Sequence, residues 1–71
     1  MRITKRQREI LGLAASGLID KLIAEQLSVS VSTVRTHLER FYRANDLRNK
    51  SEAVAAYLRF VERERSERRG A

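Results

Sequence analysis

Ser28-Val29-Ser30-Val31-Ser32-Thr33-Val34-Arg35-Thr36-His37-Leu38-Glu39-Arg40-Phe41-Tyr42-Arg43-Ala44 decides how this chain folds. Ser28-Val29-Ser30 reads as a turn, and Ser30 has the short hydroxyl that caps a helix N-terminus by accepting from a first-turn amide. At 100° per residue, Val31, Val34, Leu38, Phe41 and Tyr42 fall within about 100° of one another, one buried stripe. Ser32, Thr36, Glu39 and Arg43 lie opposite, flanked by Arg35 and Arg40. The segment therefore predicts a helix over 31–44 with a polar, mainly basic outer face. His37 sits at the edge of the stripe, where a packed imidazole is expected.

Upstream, Ile23, Ala24 and Leu27 share one face of a shorter helix. Its start is unusual, because Ile19-Asp20-Lys21-Leu22 leaves Asp20 as the one evident cap. Before that, Thr4-Lys5-Arg6-Gln7 is a capping signature, with the Thr4 hydroxyl bonding the Gln7 amide and the Gln7 side chain reaching back. Ile10, Leu11 and Ala14 continue this first helix, and Gly17 ends it as a left-handed cap. Downstream, 45–49 breaks the pattern and a fourth helix runs from about Lys50. Its apolar residues Ala53, Val54, Ala56, Tyr57, Leu58, Phe60 and Val61 cover roughly 200°, about twice the stripe needed for one contact. Tyr57 and Phe60 could fold back onto the core, but the surplus favours Ala53, Ala56, Tyr57 and Phe60 as a dimer interface. From Glu62 the charges alternate in sign, with Glu64 and Arg68 at a supporting i,i+4 spacing. The expected organisation is one domain over 1–71, with an ordered core over about 3–62 and a charged tail over 63–71.

The chain has 71 residues, no cysteine, 15 Lys+Arg against 9 Asp+Glu, and a net charge of +6. So short a chain buries a thin core, and without cysteine neither a disulfide nor a thiolate metal site can staple it. A partner subunit remains. The positive balance points to a polyanion, and residues 28–50 are its most one-sided part, with five basic and two acidic side chains. No stretch is apolar enough for a membrane span or a leader's apolar region, so a cytoplasmic protein with no membrane partner is expected. No nucleophile–base pair or metal cluster can be assembled, so neither an enzyme nor a cofactor is expected.

A short helix, a three-residue turn and a longer helix with a basic outer face make a helix-turn-helix, whose second helix fits the major groove of double-stranded DNA. Here the sequence resembles a family. Residues Thr4 to Leu11 are similar to the "LTxREREVL" opening of LuxR/GerE-type DNA-binding domains. Ala15-Ser16-Gly17, Lys21, Ile23-Ala24 and Leu27 match "AxGxSNKEIAxxL". Ser30 to His37 matches "SxxTVKxH", and Glu52-Ala53-Val54 matches the start of the last helix. The resemblance covers residues 3 to about 60 and implies an all-α, four-helix fold belonging to bacterial transcription regulators.

It also implies that Arg35 reaches bases or nearby phosphates, with Thr36 alongside and Glu39 one turn further into the groove. Ser32 joins them as a base-contacting candidate. Lys21, Ser30, Thr33, Arg40, Arg43 and Lys50 are the phosphate candidates. Members bind two-fold related half-sites as dimers, and the last helix often forms the dimer contact. Several positions depart from the pattern. Ile19 and Leu22 replace the family's Ser/Thr and Glu capping pair, so Leu18, Ile19 and Leu22 are expected to touch a second protein surface. Glu39 either accepts from cytosine N4 or repels phosphate. The usual "KL" after the recognition helix is Ala44-Asn45, and Asp46 replaces a glycine, so a different local turn is expected. Two other readings remain: a promoter-binding domain like sigma-factor region four, and a protein-interaction module whose charge only solubilises it.

Overall fold

The computed structural model describes residues 1–70 and contains, among them, four helices and no strand. Helix α1 spans Lys5–Ala15, α2 Asp20–Leu27, α3 Val31–Ala44 and α4 Lys50–Gly70. The all-α architecture and the helix-turn-helix formed by α2 and α3 are as expected. Among the described residues, no helix is long and apolar enough to cross a membrane.

Each start has a local cause. Thr4 and Gln7 form the expected reciprocal box, with Gln7 N donating to Thr4 Oγ1 at 3.1 Å and Thr4 N to Gln7 Oε1 at 2.9 Å. Ser30 Oγ accepts from Thr33 N at 3.0 Å. At the start of α4, Asn49 Oδ1 accepts from Glu52 N at 2.9 Å while Glu52 Oε1 accepts from Arg48 N at 3.0 Å. Helix α2 is the exception. Asp20 is not its cap but its first residue; Ile19 holds the cap position in extended conformation and makes no side-chain bond. An uncapped start forgoes about 1 kcal/mol.

The first three helices end in one shared geometry. Leu18, Val29 and Leu47 donate their amides back to the carbonyls of Leu13, Ala24 and Tyr42, at 3.2, 3.0 and 2.8 Å. Each stop needs a left-handed residue one position earlier. Gly17 supplies the first at φ 97°, Ser28 the second at φ 57°, and Asp46 the third at φ 55°. The turn at 46 is therefore not lost with the glycine: Asp46 takes the conformation that glycine adopts without steric cost.

Ile10, Leu11, Ala14, Ile23, Ala24, Val34, Leu38, Phe41 and Ala53 form the core, with Ile10, Leu11, Ile23, Val34 and Phe41 fully enclosed. Val31 and Tyr42 pack partly buried at its margin. Gln7 is buried too, and its Nε2 donates to the carbonyl of His37 at 3.5 Å, tying α1 to α3. Asn45 makes a second tie. It accepts from Arg2 N at 2.9 Å and donates to the carbonyls of Arg2 at 2.7 Å and Phe41 at 3.0 Å.

Helix α4 stays helical beyond residue 62, where the charged tail begins, and runs to Gly70. Arg8 of α1 bonds both carboxylate oxygens of Glu64, at 3.0 and 3.2 Å, and its guanidinium carbon lies 5.1 Å from the centre of the Phe60 ring. The bond from Arg8 holds the Glu64 carboxyl below the usual range for its type.

Candidate nucleic-acid interface

The buried stripe of α3 faces the core through Val34, Leu38 and Phe41, which turns the opposite side to solvent. Ser32, Arg35, Thr36, Glu39, Arg40 and Arg43 are all exposed there. At the N-terminal end, the Ser30 and Thr33 hydroxyls lie 2.9 Å apart, and Thr36 Oγ1 donates to the carbonyl of Ser32 at 3.0 Å. The first turn thus holds ordered hydroxyls beside the positive end of the helix dipole, a site suited to phosphate. Lys21 is exposed on the first turn of α2, the helix packed most extensively on α3.

Two cations of this region meet one carboxylate. Asp20 Oδ1 accepts from Lys50 Nζ at 3.0 Å, and Asp20 Oδ2 lies 3.6 Å from Arg35 Nε. The Asp20 side chain is 23% exposed and that of Arg35 68%. Lys50 also donates to the carbonyl of Leu18 at 3.4 Å. Its ammonium thereby clamps α4 to the α1–α2 loop with two of its three donors, and the side chain stays 36% exposed. Nearby, burial raises the Tyr42 phenol above its ordinary pKa, and the carboxylates of Asp20 and Glu39 add to that. The phenol therefore stays neutral near neutral pH.

The dimer candidates on α4 need revision. Ala53 is wholly enclosed in the subunit's own core and cannot meet a partner. Tyr57 packs against the same core. Ala56 is half-buried, and Phe60 is half-buried with Arg8 over its ring. The more open side of the apolar arc lies about 100° round the helix from Ala53, where Leu58 is exposed, Val61 is half-buried and Val54 packs partly buried against the core. Leu58 is 51% exposed, and Lys50, Ser51, Val54, Ala55 and Leu58 line a shallow, mostly apolar hollow. A 200° arc is wider than one contact needs, and its width does not say which half is internal. Around the start of α2, Ile19 is 61% and Leu22 47% exposed, whereas Leu18 packs partly buried against the core.

The sequence pattern missed Asp20 as the acid between Arg35 and Lys50, Gln7 as a tie to α3, and Asn45 as a clip. All three contacts join residues 15 or more positions apart in the chain, beyond what local periodicity can signal.

Residues 1–57 match the family model described as bacterial regulatory proteins, luxR family. This chain belongs to that family. The resemblance drawn from four blocks of sequence is borne out over that range, and it favours a transcription regulator over the sigma-like and protein-interaction readings. Among curated relatives of the luxR-family domain, the monoamine regulon transcriptional regulator of Klebsiella aerogenes is 42% identical over 53 residues, covering 75% of this chain and 23% of that protein. The nitrate/nitrite response regulator protein NarL of Escherichia coli K12 is 38% identical over 53 residues, 75% of this chain and 24% of NarL. The HTH-type transcriptional regulator MalT of Vibrio cholerae is 36% identical over 52 residues, 73% of this chain and 6% of MalT. The chain thus spans less than a quarter of the length of each of these relatives.

Proposed function

We propose that this luxR-family domain regulates transcription by binding double-stranded DNA sequence-specifically, with α3 in the major groove. The observation that carries the reading is the outer face of α3, where Ser32, Thr36, Glu39 and Arg43 are exposed together, flanked by the exposed side chains of Arg35 and Arg40. A helix fits the major groove, and hydrogen-bonding side chains on one face can read base edges there. Arg35, Thr36, Glu39 and Ser32 supply base contacts; Ser30, Thr33, Lys21, Arg40, Arg43 and Lys50 supply phosphate contacts. With roughly three to five phosphates neutralised per subunit, affinity falls steeply with added salt.

The domain acts as a homodimer through α4, in the bacterial cytoplasm. What supports the pairing is the exposed Leu58, which shares a shallow apolar hollow with the partly buried Val54 on a helix whose other side is already packed. Ile19 and Leu22 form a second contact surface for another protein segment. Restoring the cap with Ile19→Ser and Leu22→Glu tests that assignment: a gain of about 1 kcal/mol in stability with unchanged assembly would refute it.

Selection of bound duplexes from a random library at moderate salt, followed by sequencing, tests the main reading. Enrichment of a two-fold symmetric site is expected, with half-sites about one helical turn apart or a multiple of it. Folded protein that enriches no sequence would refute sequence-specific binding.

A further inference from the structure

Asp20 occupies an unusual place. It is the first residue of an uncapped helix, and its side chain is more enclosed than that of the arginine it faces. Its position is fixed from two sides, by the backbone of α2 and by the Lys50 ammonium at 3.0 Å. That ammonium is in turn held by the Leu18 carbonyl, so the acid sits in a braced junction of the α1–α2 loop, α2 and the first turn of α4. Arg35, by contrast, stands largely in solvent on the face assigned to DNA.

We infer that Asp20 is a positioning residue for base reading: anchored by Lys50, its carboxylate holds the Arg35 side chain in the conformation that presents its guanidinium to a base edge. The inference rests on the proposed reading of Arg35 as a DNA contact. The nearest approach between the two is through Nε, which leaves the terminal nitrogens Nη1 and Nη2 for an outside ligand. Those two donors form the fork that matches a pair of acceptors on one base, as on guanine O6 and N7. An unrestrained arginine loses rotamer freedom when it binds, and a brace formed beforehand reduces that loss.

The arrangement also explains why an acid is tolerated beside a surface assigned to a polyanion. Lys50 balances the Asp20 charge, so the pair repels phosphate little. Removing the acid has two opposite consequences. Arg35 loses its guide, and Lys50 is left without its counter-charge, which strengthens sequence-independent attraction to DNA. A residue with only a structural role would move both affinities together.

The experiment compares wild type, Asp20→Asn, Arg35→Ala and the double variant. Each is titrated against the duplex recovered by selection, the same duplex with each base pair replaced in turn, and an unrelated duplex. Arg35→Ala is expected to lose discrimination at one base pair per half-site by about tenfold or more. Asp20→Asn is expected to lower discrimination at that same base pair by about two- to fivefold, the range of an exposed ion pair, while affinity for the unrelated duplex rises. In the Arg35→Ala background, Asp20→Asn should alter no base preference. If Arg35→Ala erases the preference but Asp20→Asn leaves it intact, the positioning role fails and DNA reading by Arg35 survives. If Arg35→Ala alters no base preference, both fail.

A second measurement needs no variant. Nitrogen-15 relaxation of the arginine side chains in the free protein should show Arg35 Nε more ordered than Arg40 or Arg43 Nε. Equal mobility of all three would overturn the brace.

Discussion

Helices α3 and α4 both carry more apolar residues than a solvated helix needs, yet they use them differently. Helix α3 has a narrow stripe that the core absorbs through Val34, Leu38 and Phe41, and everything opposite is polar. Helix α4 has an arc twice as wide, of which the core takes the half at Ala53 and Tyr57 and leaves Leu58 open. The width of an apolar arc therefore sets how much of it one core can cover. A narrow stripe also fixes which side faces outward; a wide one does not.

The largest test of this contrast is to break the inner side of α3. Phe41 is fully enclosed, so Phe41→Ala should remove about 3–5 kcal/mol. In so small a domain that is most of the stability available, and circular dichroism should show no cooperative melt at 25 °C. The same truncation at Leu58 should leave the melt of the isolated subunit unchanged.

The next test separates the two halves of α4. Leu58→Glu should weaken self-association by tenfold or more, about 1.4 kcal/mol, in sedimentation equilibrium, with the subunit's own melt unaltered. Tyr57→Ala should lower the melt by about 2–4 kcal/mol of stability. The reverse pattern would mean that the inner and outer halves are wrongly assigned.

A smaller effect sharpens the inner half. A Cβ added at Gly12 would meet Tyr57 Oη at 3.6 Å, an ordinary contact. Gly12→Ala should therefore gain the helix propensity of alanine over glycine, about 0.5–1 kcal/mol, read by denaturant unfolding. A loss instead would show that Tyr57 sits closer to α1 than described.

The smallest effect lies at the far end of α4 and depends on pH. Arg8 lowers the Glu64 carboxyl below its ordinary pKa of 4.5. That pairing stabilises the fold fully above the ordinary value and stops doing so as pH falls through the lowered one. Glu64→Gln should accordingly lower the melting temperature slightly at pH 7, with the gap to wild type closing as pH drops well below 4.5. A gap that stays constant across that range would exclude the ion pair as its source.

Most of the fold was legible because its causes are local. Thr4 with Gln7, and Ser30 before Thr33, place caps from three-residue spacings, and the 31–44 bounds of α3 follow from that cap and one stripe. Gly17 announced its left-handed stop by residue type. Ser28 and Asp46 make the same stop without glycine, at the steric cost of a left-handed L residue, and residue type therefore did not announce them. The polar face of α3 was legible for the same reason as its stripe. The occupied state of Lys50 was not, since it depends on Asp20 and Leu18, at least 30 positions away. Nor was the internal role of Ala53, which the wide arc left equivalent to Val54.

The clip at Asn45 has a practical consequence for how this domain can be joined to others. Through its carboxamide, the backbone of Arg2 is fastened to the last turn of α3. A tag, a surface tether or a fused protein attached at Met1 therefore pulls not on a loose leader but on the end of the recognition helix, like a handle fixed to a lever. Asn45→Ala would detach the handle, and the load would then pass first to Ile3, which packs against the core, and next to the Thr4 cap of α1.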